Sequence, residues 1–118
     1  MNAPELRART TALGLNPTQV ARMIGRPHST VRRWLAGTHP IPADMADTVE
    51  AWEDFTDGVI ERELLTGPGP RTLTVFRGDD AMHAAHPEWS RFPASWWLMT
   101  AHSIIAEIGG ALTYEDQS

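Results

Sequence analysis

The sequence contains no cysteine, which excludes disulfides, thiolate metal sites and a cysteine nucleophile. It contains no lysine either, so all ten of its basic residues are arginine. Every apolar run falls short of the roughly 18 residues that a membrane-spanning helix needs, and no membrane partner is expected. The first residues, Met1-Asn2-Ala3-Pro4-Glu5, lack the basic stretch and apolar core of a secretory leader, which suggests a cytoplasmic protein. There is no recognisable glycine-rich phosphate loop and no Ser/His/Asp arrangement, so neither enzyme activity nor a cofactor is expected. His83 and His86 have metal-like spacing near Asp79 and Asp80, but two histidines alone are weak grounds, and no metal is expected.

What remains is a chain of 118 residues, 42% hydrophobic and 21% charged. That is the composition of a globular protein and the size of one domain or two very small ones. The net charge of −5 is unevenly spread. Through Pro42, six arginines (Arg7, Arg9, Arg22, Arg26, Arg32, Arg33) face a single carboxylate, Glu5; from Ala43 onward, four arginines face fourteen acidic residues. A basic working end followed by an acidic remainder fits a protein that meets a polyanion at one end.

Periodicity predicts a first helix over residues 4–13, with Leu6, Thr10 and Leu13 on one side, broken at Gly14. Asn16-Pro17-Thr18-Gln19 is a helix start, with Asn at the cap, Pro at the first position and Gln three residues after the cap. This second helix reaches Ile24 and stops at Gly25. A third begins at Pro27 or His28 and ends before Gly37, turning Val31, Trp34 and Leu35 inward. Pro40 and Pro42 force an extended stretch. A long acidic helix over 43–65 follows, with Met45, Val49, Trp52, Phe55, Val59, Ile60 and Leu64 along one stripe.

Thr66-Gly67-Pro68-Gly69-Pro70 reads as a linker. Residues 71–77 read as one strand, and no second candidate is evident, so pairing with the same strand of another copy is expected. Asp79 or Asp80 would cap a short helix over 81–85. A last helix spans 93–108, and 111–118 is expected to be a loose tail. The expected organisation is therefore residues 1–65, 66–70 as linker, and 71–118. The fold class is mainly α: a helical bundle followed by a small α+β part with one short strand.

The segment from Leu13 to Gly37 sets two short helices across a tight turn at Gly25, with small Ala21 at the crossing and Val31 plugging the core. It resembles the helix-turn-helix of the Cro/cI-type (XRE) DNA-binding proteins, over about residues 3–52. That resemblance implies double-stranded DNA as partner, with the third helix in the major groove. Counting outward from Val31, the base-contacting residues would be His28, Ser29, Arg32 and Arg33. Asn16, Thr18, Gln19, Arg22 and Arg26 would contact the DNA backbone. Two positions depart from the family: Pro17 stands where Gln is frequent and lacks both N–H and side-chain donor, and Leu35 stands where Glu is common.

The order of the remaining elements includes Ile41-Pro42-Ala43-Asp44, the strand Leu73-Thr74-Val75-Phe76 and a Trp-containing final helix. It resembles the YdiL-like proteins and the anti-CRISPR-associated (Aca) autoregulators of phages. That likeness implies a homodimeric repressor of its own operon, joined through its C-terminal part. Leu73, Val75, Phe76 and Trp97 would then contribute to dimerisation. Some members also bind their own transcript, which makes RNA an alternative partner; an antitoxin gripping a toxin with its acidic half is another reading. Trp34 and Trp52 read as core. The Trp96-Trp97 pair with Trp89 and Phe92 could stack bases, but in an acidic region it reads better as core or interface.

Overall fold

Asn2 and Asn16 each start a helix by the same device in the computed structural model, which describes residues 1–117. Each side chain accepts from the backbone N–H three residues on, and the residue there, Glu5 or Gln19, accepts from the asparagine's own N–H. Two otherwise orphaned donors are satisfied at each start. The resulting helices are α1, Ala3–Ala12, and α2, Pro17–Ile24; α3 follows as His28–Ala36 and α4 as Ala43–Leu65. The chain then forms β1 (Arg71–Val75), α5 (Asp79–Ala85), a 3-10 turn (Pro87–Trp89), α6 (Ala94–Ile108) and β2 (Gly110–Tyr114). The protein is mainly helical, with a two-stranded sheet. No described helix is long and apolar enough to cross a membrane.

Two compact units divide the chain, and the division falls inside α4, between Asp54 and Phe55. It does not coincide with the linker at 66–70. In the first unit α3 packs on both α1 and α2. Leu6, Leu13, Leu15, Val20, Ala21, Val31, Trp34, Met45, Val49 and Trp52 are buried. The turn after α2 depends on Gly25, whose φ of +68° lies in the left-handed region. That conformation lets the Arg26 N–H reach the Ala21 carbonyl at 3.0 Å, which satisfies a terminal carbonyl of α2.

The second unit corrects the expectation of a single strand. β1 pairs in parallel with β2, in the register Arg71↔Gly110 to Val75↔Tyr114. Residues 111–114 of the segment expected to be a loose tail are therefore in a strand, and Ser118 lies outside the described residues. Parallel strands need a long crossover, and α5, the 3-10 turn and α6 provide it within one chain. The inference that β1 must pair with another copy thus loses its basis.

Beyond the strands, Arg77 secures the end of the chain. Its guanidinium lies 3.9 Å from the ring centroid of Tyr114, and its Nε donates to Asp116 at 3.1 Å. Leu73, Val75, Phe76 and Trp97 are all buried, and within this unit they act as core. Trp97 Nε1 donates to the Thr74 carbonyl at 2.7 Å, and Trp96 Nε1 donates to Thr56 Oγ1 at 2.8 Å. The rings of Trp89, Phe92, Trp96 and Trp97 lie against one another, with centroids 4.5 Å apart for Phe92–Trp96 and for Trp89–Trp97. The indoles of Trp96 and Trp97 thus have their N–H groups satisfied while their faces fill the core.

Asp79 departs from expectation in a second way. Gly78 is the N-cap of α5, and Asp79 accepts from the Ala94 N–H at 2.8 Å, at the first residue of α6. The N-cap of α6 is Pro93, which has no side-chain acceptor, so a carboxylate fifteen residues upstream takes that role.

Two glycines should respond differently to a methyl group. A Cβ on Gly25 would meet nothing within 4 Å, so Gly25→Ala carries only the left-handed strain, about 1 kcal/mol. A Cβ on Gly110 would lie 1.8 Å from the Arg71 carbonyl oxygen, on backbone that cannot yield without loss of the β1–β2 register. Gly110→Ala should therefore cost more than about 2 kcal/mol. Urea midpoints of the two variants test this; equal shifts would contradict it.

Candidate nucleic-acid interface

The side of α3 that faces solvent is decided by the side that does not. Val31 and Trp34 are buried, which turns His28, Ser29, Arg32 and Arg33 outward; all four are exposed. Helical geometry places these four within one side of the cylinder, across from the buried pair. Among the described residues, no salt bridge engages Arg32 or Arg33, so both guanidinium groups are uncommitted to a carboxylate. His28 is tied to the neighbouring helix, since a hydrogen bond of 3.3 Å joins its Nε2 to Thr18 Oγ1. Thr18 and His28, expected to serve backbone and base respectively, thus stand side by side where α2 and α3 begin.

Asn16 and Gln19 are first of all the reciprocal cap of α2, with both bonds at 2.8 Å. Their placement at that helix start agrees with the sequence, and the cap orients α2. Arg22 and Arg26 are exposed. The Arg26 guanidinium carbon sits 5.9 Å from the centroid of the Trp34 ring, which steadies the turn between the two helices. The expected backbone contacts therefore lie on α2 and the turn, and the expected base contacts on α3.

A residue that no motif marks joins this surface. Arg7 of α1, with Pro17, His28, Arg32, Leu35 and Ala36, lines a shallow depression of about 230 Å³. Sequence reasoning missed Arg7 because α1 lies outside the two-helix pattern; only the packing of α1 on α3 brings it there. The other arginine of α1 has a different fate. Arg9 Nε donates to Glu53 at 3.1 Å and its terminal nitrogen pairs with the same carboxylate. The Glu53 hydrogen bond holds the Arg9 guanidinium above its ordinary pKa, so Arg9 stays charged and neutralised within the unit.

The two histidines with metal-like spacing are directed elsewhere. His83 Nε2 donates to the Phe92 carbonyl at 2.6 Å. His86 stacks on Trp89 at 3.9 Å between centroids and meets Glu88 at 3.2 Å. Their ring nitrogens serve two different structural contacts.

No protein-family model matches the chain, and no curated protein matches it. The functional reading therefore rests on the residues themselves.

If the cap of α2 orients this surface, Asn16→Ala should lower stability by about 1 kcal/mol. The measurement is the urea midpoint with unchanged m-value; a loss below about 0.3 kcal/mol would contradict the role assigned to the cap.

Proposed function

We propose that this protein is a sequence-specific DNA-binding repressor, with α2, the Gly25 turn and α3 acting as a helix-turn-helix. The observation that carries the reading is the exposed side of α3, with His28, Ser29, Arg32 and Arg33 opposite buried Val31 and Trp34 and, among the described residues, no salt bridge at Arg32 or Arg33. Arginine offers a fork of donors that fits guanine or phosphate, and serine can donate or accept. Exposed Arg22 and Arg26, on α2 and its turn, suit phosphates. The charge division supports the same docking: the basic end attracts a duplex while the acidic remainder repels it, which favours one orientation.

A homodimer completes the proposal. Two copies of α3 would read half-sites of an inverted repeat in successive major grooves, about 34 Å apart. Repression then follows from occupying a promoter, and the resemblance to the Aca autoregulators favours the promoter of its own gene. No bond is made or broken.

Fluorescence anisotropy with the duplex upstream of the gene, against an unrelated duplex, tests the reading. The native duplex should bind about 10³-fold or more tightly. Arg33→Ala should lower that ratio by about 5- to 100-fold, the loss of one base contact. Equal, weak binding of both duplexes would overturn the proposal; equal competition by a stem-loop RNA would redirect it to the transcript. Light scattering at micromolar concentration should give a dimer of the 13.1 kDa chain, and a monomer that stays monomeric on the duplex would remove the two-fold arrangement.

A further inference from the structure

The depression beside α3 has a composition that the base-reading role of α3 does not explain. Three of its six lining residues, Arg7, His28 and Arg32, can donate to an anion, and none of the six is acidic. The others, Pro17, Leu35 and Ala36, are its apolar lining. A hydrogen bond from a guanidinium to an anion is charge-assisted and stronger than one between neutral groups.

The two arginines of α1 sharpen the contrast. Arg9 is neutralised by Glu53, whereas among the described residues no salt bridge or hydrogen bond engages the Arg7 guanidinium. The position at the start of α2 adds a reason. Pro17 supplies neither an N–H nor a side-chain donor, so a ligand beside it must draw its donors from elsewhere, and Arg7 and Arg32 are the charges at hand.

We propose that this depression seats one backbone phosphate of the DNA, held jointly by Arg7 and Arg32, with His28 lining the same site. The inference rests on the DNA-binding reading and divides the labour within it. Arg32, adjacent in sequence to a base reader, fixes register on the phosphate, while Ser29 and Arg33 face the base edges. A phosphate contact carries no sequence information of its own. Its removal weakens every duplex alike.

The experiment measures binding of wild type, Arg7→Ala, Arg32→Ala, the double variant and Arg33→Ala to the native and unrelated duplexes across a salt series. Arg62→Ala, an exposed arginine of α4, is the charge control. Circular dichroism checks that each variant folds. Arg7→Ala should weaken native and unrelated duplexes by a similar factor, about tenfold. It should reduce the salt slope by about 1 and leave the ratio between duplexes unchanged. Arg32→Ala should behave the same way, and the double variant should lose less than the product of the two single losses, because both side chains hold one group.

Arg7→Lys should retain the slope. The proposal is overturned if wild type binds specifically while Arg7→Ala keeps the wild-type affinity and slope. It is equally overturned if Arg32→Ala lowers the ratio and multiplies independently with Arg7→Ala. Failure of wild type to bind any duplex overturns the DNA reading itself, and the phosphate site with it.

Discussion

Burial of Val31 and Trp34 is the constraint from which the rest of the first unit follows. A nine-residue helix has only one way to hide those two side chains against its neighbours, and hiding them turns His28, Ser29, Arg32 and Arg33 to solvent. The same burial fixes how α3 lies on α1 and α2. Ala21, small and buried, accompanies the close packing of α2 on α3, and the left-handed Gly25 lets the chain reverse between them. The candidate surface is thus a by-product of core formation. His28 on it is joined to Thr18, while Arg32 and Arg33 have no salt bridge among the described residues.

The second unit solves a different problem. A single strand has nowhere to place its backbone donors and acceptors, and β1 finds its ladder in β2 across the helical crossover. Once paired, the strand carries Leu73 and Val75 into a core dominated by Trp89, Phe92, Trp96 and Trp97. Large aromatic rings fill much volume per residue, which suits a unit this small. The N–H groups of Trp96 and Trp97 reach Thr56 and the Thr74 carbonyl, so these two add bulk without a buried orphan at either indole. A second copy is no longer needed to complete β1, so the strand lends no support to the proposed dimer.

Charge is distributed in keeping with this division. Arg9 has a carboxylate partner in Glu53, Arg71 has one in Glu63, and Arg77 has one in Asp116. Arg7, Arg22, Arg26, Arg32 and Arg33 of the first unit have none among the described residues and are exposed, as are Arg62 and Arg91 of the second unit. An exposed ion pair contributes little to stability, so the pairing matters more for what it leaves over. The unpaired arginines are the ones with charge available for another polyanion.

Much of this was legible in the residues because the signals are local. Asn16 with Gln19, Gly25, and the spacing of Val31 and Trp34 specify caps, a turn and a buried side within a few residues of themselves, and the first four helices lie where those signals put them. What depends on distant partners was not legible. Residues 110–114 carry little strand signal of their own, and only the ladder offered by β1 makes them a strand. Asp79 looked like the cap of its own helix, yet the fold brings it to α6. Arg7 belongs to no motif, and it joins the candidate interface only because α1 packs on α3. The sequence alone determined which helices form and which residues of α3 must be hidden, since backbone capping and helical periodicity act over one or two turns. Tertiary structure alone decided the pairing of the strands and the company of Arg7, because those contacts join residues that the chain keeps far apart.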